Sequence, residues 1–463
     1  MKKIILLSVL TFTVLLCGYA NNVVVTNVSL GPQNKTGALA THHTQVKYDI
    51  TWQNSWRTST NESNYDGCWI FVKYRKQSTS AWQHATIDIA GQTIPSGSMI
   101  KTSTDGKGVW MYRNADGIGT VNWAAAGLQW NYGADGVLDN ENVEVRVFAV
   151  EMVYVPQSPF SLGNASGETY KFRDGLVDTW FPITNENAIT CGTNAGDLFA
   201  GFNFIASGTI PANFPKGFNA FWSMKYEFSN QQVLDFLNSL DQTNADARNS
   251  ISATGSVPAM TVANPERSAF LGTVRNFLAW LDWAAMRPMT ELEYEKACRG
   301  GNNLPVSLEY AWGNTTISPI ITPTNLGAAN EVWANGNANY AGGPGVLMRC
   351  GALATASGTR TTSGATFYGI MEMSGNLLEL VVYVGTPESR NFDGKHGDGA
   401  LNATAEANTP TWESSSNNYI MSGRGGYFGQ PSTNLQICER SSAALEYTTN
   451  YVNVNGRAVR TAE

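Results

Sequence analysis

Charge is scarce in this sequence. Asp, Glu, Lys and Arg make up 14% of its 463 residues, against about a quarter in an ordinary soluble domain. Acids outnumber bases by 37 to 30, for a formal net charge of -7. No basic patch is visible to neutralise phosphates, which argues against nucleic acid as a partner. Histidine is scarcer still. His42, His43, His84 and His396 are the whole supply, and none stands in a His-x-x-x-His helix. No CxxC pair exists, so metal ligation by a cysteine cluster has no spacing to rest on. No later stretch reaches about 18 apolar residues, so no membrane span is expected. A Gly-x-Ser-x-Gly elbow, a phosphate loop and a paired-carboxylate signature are all missing. The polar surface must then be made of Asn, Ser, Thr, Gly and Gln. Such a surface suits packing against copies of itself, and equally a sugar-coated or simply extracellular protein.

The N-terminus reads as an export signal. Lys2 and Lys3 form a basic start, Ile4 to Leu16 is almost unbroken apolar, and Gly18-Tyr19-Ala20 supplies small residues for cleavage. Residues 1–20 are therefore the signal, and the mature chain starts near Asn21 as a secreted or surface-attached protein. Loss of Lys2 and Lys3 takes the charge from -7 to -9. Cys17 raises a lipoprotein alternative, against which Leu16 stands where a lipobox wants Gly or Ala. Cys68, Cys191, Cys298, Cys350 and Cys438 remain. The number is odd, so at least one thiol is free or pairs between chains.

Residues 21–149 read as an all-β sandwich. Val46, Tyr48, Ile50 and Trp52 alternate with Lys47, Asp49 and Thr51, the period of a half-buried strand. Further short β-rich runs follow at Cys68 to Tyr74, Val109 to Tyr112 and Val143 to Val155, separated by Gly, Asn and Asp clusters. Trp52, Trp56, Trp69, Trp82 and Trp110 read as core or edge anchors, with sugar stacking by an exposed one as the alternative. Residues 150–463 read as a loop-rich α+β domain. Ser229 precedes an apolar face at helical spacing from Val233 to Leu240. Thr290 and Glu293 form a capping box before a second helix. Glu406 to Asn418 reads as a surface insertion loop.

Several motifs in this second region resemble those of the formylglycine-generating-enzyme (sulfatase-modifying-factor) family, in family order. They are MVYVPQSPFSLG from Met152, FWSMKYEFSNQQVLDFLNSL from Phe221, RPMTELEYEKACRGG from Arg287, YAWGN from Tyr310, FYGIMEMSGNLLEL from Phe367, RGGYF from Arg424 and NGRAVR from Asn455. Leu378 and Leu380 replace two tryptophans of the family signature, and Tyr294 replaces another. The resemblance implies a C-type-lectin-like fold behind the sandwich.

The resemblance also implies metal sites. Its Gly-Asn-x-x-Glu turn would hold calcium through the carbonyls of Ser374, Gly375 and Leu377 and the side chain of Glu379; oxygen ligands on an irregular loop suit that ion. The local alternative is that Glu379 hydrogen-bonds nearby amides. A second calcium site would begin at Asn339 and Tyr340, but Leu353 to Ser357 holds no acid to complete it. The family's catalytic copper needs two cysteines shortly after Arg-Gly-Gly, because soft thiolates select that metal. Those positions fall at Gln430 and Leu435, so copper is not expected. A Cys350–Cys438 bridge and two inert buried thiols are equal alternatives. Glu291, Glu293 and Glu295 read as capping acids paired with Arg287 or Arg299, and Arg424 and Arg440 as scaffold arginines. Asp393, His396 and Asp398 read as a flexible surface loop before a cation site. The expected function is that of a non-catalytic surface protein in adhesion, self-assembly or extracellular structure, with copies of itself, cell-surface components or glycans as partners. A glycan- or peptide-binding module and a divergent oxidase are the alternatives.

Overall fold

The computed structural model describes residues 23–76, 81–201, 205–328, 330–355, 358–412, 420–443 and 454–463. The export signal, Cys17 and residues 413–418 of the polar stretch lie outside the described residues.

Eight strands come first: β1 (Val24–Leu30), β2 (Thr44–Arg57), β3 (Asp66–Lys76), β4 (Gln83–His84), β5 (Ser98–Thr102), β6 (Val109–Arg113), β7 (Gly117–Trp130) and β8 (Val143–Val155). In β2 the alternation of the sequence is also the alternation of burial. Val46, Tyr48, Ile50 and Trp52 are buried, while Lys47 is exposed. β1, β2 and β7 form one antiparallel sheet. Its inner residues share a core with Cys68, Ile70, Val72 and Tyr74 of β3.

β3 belongs to a larger sheet and is buried on both faces. Trp69 and Phe71, the intervening residues of β3, point into a second core together with Trp110 and Met152. A strand covered on both sides reads as a continuous apolar run rather than an alternating one, which is how CWIFV reads. Trp69 is wholly buried and its indole N–H donates to the Ala284 carbonyl at 2.9 Å. Truncating such a side chain to Ala costs about 3–5 kcal/mol.

The larger sheet continues across the whole molecule. Its order runs Arg287–Pro288, Ala458–Thr461, Phe221–Met224, β8, β3, β6, β5, with β4 beside β3. β8 is the hinge of this arrangement. Its length from Val143 to Val153 pairs with β3, and Met152 to Val155 pairs with Phe221–Met224. The border drawn between 149 and 150 therefore falls inside one unbroken strand.

Five helices pack around this frame among the described residues: α1 (Asn230–Leu237), α2 (Gln242–Arg248), α3 (Val274–Trp283), α4 (Glu291–Arg299) and α5 (Arg360–Ser363). α1 starts at Ser229 and α4 at Thr290, each closed by the reciprocal hydrogen bonds of a capping box with Gln232 and Glu293. α3 lays Trp283 edge-on to Phe71, with ring centres 5.1 Å apart. The chain is thus loop-rich and sheet-dominated, and among the described residues no helix is long and apolar enough to cross a membrane.

Candidate functional site

α4 carries a belt of buried ion pairs. Glu293 accepts from the Thr290 amide at 2.9 Å and takes Arg287 through two hydrogen bonds of 2.6 and 2.9 Å. Glu291 takes Arg440 at 2.9 and 3.0 Å and Arg424 at 3.2 Å. Glu295 takes Arg424 at 2.8 Å and Arg299 at 3.4 Å, and Arg299 reaches Glu309 at 2.6 Å. Burial pushes the Glu291 carboxyl up, but Arg440 and Arg424 overcome it and hold the group below its ordinary value. Each acid in the belt has an arginine, so none is left free as a general acid or base. The arginines behave as scaffold.

The two positions expected for copper-binding thiolates offer no metal ligand of that kind. Leu435 is wholly buried, with a methyl that a side chain on Gly375 would strike at 2.9 Å. Gln430 sits in a turn, donating its amide to the Tyr427 carbonyl at 2.9 Å and accepting the Tyr427 amide at 3.2 Å. Cys68, Cys191, Cys298, Cys350 and Cys438 are all free and buried. The bridge between Cys350 and Cys438 is thus not formed. Cys438 accepts from Arg299 at 3.1 Å, while Cys350 lies 3.4 Å from the Glu227 carbonyl. Burial pushes the Cys350 and Cys438 thiols well above the usual value, and that of Cys298 up to about 12. Such thiols stay protonated and behave as small apolar side chains.

The calcium candidates are brought together. The Asn376 amide donates to the Asn339 carbonyl at 2.9 Å, and the Asn339 side chain donates to Asn376 Oδ1 at 2.9 Å. Gly375 has φ +94, and a Cβ there would lie 2.5 Å from the Asn339 carbonyl oxygen, so only glycine permits this approach. The Ser374 hydroxyl donates to the Leu435 carbonyl at 2.7 Å. Tyr340 is half-buried, and its carbonyl accepts from Gly343 at 2.9 Å. Leu377 turns its amide to Glu227 at 3.0 Å. Glu379, the one carboxylate of the set, is engaged by Arg457 Nε at 2.7 Å. A calcium ion bound there would share its counter-charge with a guanidinium. Arg457 thus competes for Glu379, while Glu379 Oε2 and Asn339 Oδ1 are buried without hydrogen-bond partners.

The Asp393–His396–Asp398 segment is docked rather than loose. His396 Nε2 accepts the Thr461 amide at 3.0 Å, and the Gly397 amide donates to the Met286 carbonyl at 2.8 Å. Burial, with Arg460 and Arg287 nearby, holds His396 well below its ordinary value. Asp393 is taken by Lys395 at 2.7 Å. The glycines of this segment serve close packing, Gly394 against Pro215, Gly397 against Asp282 of α3 and Gly399 against His84.

A different region has the form of a ligand site. Tyr65, Trp110, Tyr112, Tyr154 and Trp222 line a cleft of about 450 Å³, with Lys101, Gln157 and Asn219 around them. Tyr65 stacks on Tyr154 with ring centres 4.8 Å apart and meets Trp222 edge-on at 5.3 Å. Trp222 in turn stacks on Trp110 at 4.3 Å. Arg57 lies over the Tyr65 ring at 4.4 Å and fixes its tilt. Burial raises the phenols of Tyr65, Tyr112 and Tyr154 above their ordinary values, so all three are hydroxyl donors at neutral pH. The indole N–H of Trp110 is buried with no hydrogen-bond partner. Concave aromatic walls with a few polar groups are the usual form of a small-molecule site. In the sequence Trp110 reads as a core or edge anchor, and nothing there joins the tyrosines to it. The signal available was a tyrosine beside three strand ends, Tyr65 just before β3 and Tyr112 and Tyr154 near the ends of β6 and β8.

A family model described as the sulfatase-modifying factor enzyme 1-like domain matches residues 146–452. No curated protein matches the chain. Among solved structures, Treponema denticola variable protein 1 is similar at 11% identity, over 68% of this chain and 96% of that one, with a TM-score of 0.35.

Proposed function

This chain belongs to the sulfatase-modifying factor enzyme 1-like family, and we propose that it is a non-catalytic member, exported and used at the cell surface as an adhesive binding protein. In this reading its first strands form a sandwich and the remainder a C-type-lectin-like domain. The observation that carries the non-catalytic half is Leu435, an apolar side chain buried where oxidase chemistry would need a thiolate. Every described cysteine is buried as a protonated thiol, and every acid on α4 is paired, which leaves no second set of groups for the same work.

The aromatic cleft supports the binding half. Flat tyrosine and tryptophan faces accept the C–H faces of a pyranose, while phenol, Gln157 and Asn219 groups can exchange hydrogen bonds with its hydroxyls. The ligand class proposed is a neutral glycan. Copper titration with oxygen uptake on a cysteine peptide tests the first half; stoichiometric copper and turnover would overturn it. A glycan array tests the second. Neutral glycans should bind, and Tyr65→Ala and Tyr112→Ala should each abolish binding while leaving the folded spectrum intact. An array without hits removes the glycan assignment.

A further inference from the structure

Three ionisable side chains meet inside the large sheet, away from water. Asp66 opens β3, Glu151 lies in β8, and Lys225 follows the strand Phe221–Met224. The three strands are neighbours. Cys68 stands opposite Glu151, and the Lys225 amide donates to the Glu151 carbonyl at 3.0 Å. Asp66, Glu151 and Lys225 are 0%, 1% and 4% exposed.

Lys225 Nζ lies 3.5 Å from Asp66 Oδ2 and in direct contact with Glu151 Oε1. The Trp56 ring at 4.7 Å and the Tyr226 ring at 5.3 Å close over the amine, which also meets the Tyr226 phenol and, at 3.4 Å, the Asn54 carbonyl. Asp66 is held from the other side. Its Oδ1 accepts from Ser55 Oγ at 2.8 Å and from the Trp56 amide at 3.0 Å, and its Oδ2 accepts from Trp52 Nε1 at 3.0 Å. Glu151 Oε2 has no partner. Two carboxyls thus share one amine in a dry pocket, an arrangement whose desolvation is expensive for whichever charge goes unpaired. Burial pushes the Glu151 carboxyl up to about 8, with Lys225 lowering it and Asp66 raising it. Burial would lower the Lys225 amine, but Glu151, Tyr226 and Asp66 hold it above its ordinary value, so its proton can pass only to a group in direct contact, which Glu151 is.

We propose that Lys225 and Asp66 condense into an intramolecular amide bond in the folded chain, with Glu151 as the proton carrier. Glu151 takes a proton from the Lys225 ammonium, and the freed amine attacks Cγ of Asp66 as the new N–C bond forms. The Ser55 hydroxyl and the Trp56 amide hold Oδ1 while it carries charge. Glu151 delivers the first proton to Oδ2, takes a second from the new C–N nitrogen and delivers that too. The C–Oδ2 bond then breaks and water leaves. Three hydrogens on the ammonium become one on the amide and two in the water, Glu151 ends as it began, and no co-reactant is needed. Fixed placement of amine and carboxyl supplies an effective molarity of about 10⁵ M or more. The product replaces the buried ammonium and the Asp66 carboxylate by a neutral amide, and Glu151, left without its cation, then holds a proton from solvent. It ties β3 to the segment after Phe221–Met224 across β8, joining the N-terminal strands to the family domain by a covalent bond.

The test is the intact mass of the purified full chain after incubation at neutral pH, read against its sequenced N-terminus, followed by fragmentation of a digest. The expected result is a mass lower by one water, with one branched peptide joining Asp66 to Lys225. Glu151→Gln and Lys225→Met, checked for folding by circular dichroism, should each show the full sequence mass. A wild-type chain at full mass overturns the proposal. A branch between Lys225 and Glu151 overturns the assignment of roles, and a lost water without a branch places the dehydration elsewhere and overturns it too.

Discussion

Lys296 is a lysine that the fold would be more stable without. It lies on α4 with no exposed surface, donates to the Phe218 carbonyl at 3.0 Å, and has the Phe160 and Phe221 rings about 6 Å away. Burial lowers it from 10.5 to about 7, with Glu186 and Glu293 pulling only part of the way back. The gap between those two values corresponds to about 5 kcal/mol of burial penalty on the charged form. Lys296→Met keeps the apolar stem and removes the charge. It gives up a hydrogen bond worth about 1 kcal/mol and ring contacts worth about 1 kcal/mol, for a net gain of about 3 kcal/mol. The sign of the pH dependence follows from the lowered value. Below pH 7 the lysine is charged in the folded and unfolded chain alike, so it carries its full penalty and the variant shows its full advantage. Between about 7 and 10.5 only the unfolded chain is charged, and the advantage shrinks as pH rises. Above about 10.5 it is gone, and the variant is slightly the weaker. Urea unfolding followed by tryptophan fluorescence at about pH 6 and about pH 10 reads this directly. A variant less stable than wild type near pH 6, or one whose advantage does not narrow with pH, would refute the reasoning.

Further outcomes follow from the same packing. Arg424→Met leaves Glu291 with Arg440 alone and Glu295 with a long contact to Arg299; it should cost about 3–5 kcal/mol in urea unfolding, and a loss under about 1 kcal/mol would mean the belt is not holding α4. The five cysteines beyond Cys17 should be silent to a thiol reagent in the native chain and all react in urea, since each is buried; prompt native labelling would contradict this. Calcium should leave the melting temperature unchanged because Arg457 already occupies Glu379. A rise that scales with calcium concentration would restore the turn from Ser374 to Glu379 as a site.

What could be read from the sequence was what is decided within a few residues. The starts of α1 and α4 are fixed by capping boxes, and β2 by its own alternation, so all three were legible. α3 was not, because VRNFLAWLDW is buried nearly all round and gives no polar face to set its period. The cleft was illegible for a different reason. Tyr65, Tyr112, Tyr154 and Trp222 come from separate segments, and only the pairing of β8 with both β3 and Phe221–Met224 brings them together. Glycine around His396 reads as mobility in the sequence, whereas Gly397 lets the chain lie against Asp282 and Gly399 lets it lie against His84.

The scarcity of charge means something sharper once burial is known. A low-charge sequence would ordinarily be expected to spend what charge it has on its surface, since charged side chains are rarely fully buried unless paired. Here Arg287, Arg299, Arg424, Arg440, Arg457 and Arg460 are among the largest wholly buried side chains. Their partners Glu291, Glu293, Glu295 and Glu379 are buried with them. A large share of the charge thus sits in the core as fixed pairs, and the surface is poorer in charge than composition alone suggests. Salt screens exposed pairs strongly and buried ones little, so the interior electrostatics that hold α4 are insulated from the medium. The surface is correspondingly richer in Asn, Thr and Ser, and the aromatic cleft, although Lys101 and Glu463 stand on its lining, is walled mainly by flat apolar faces. A neutral, hydroxyl-rich ligand matches that chemistry better than an ionic one, which is why the cleft and the composition point to the same class of partner.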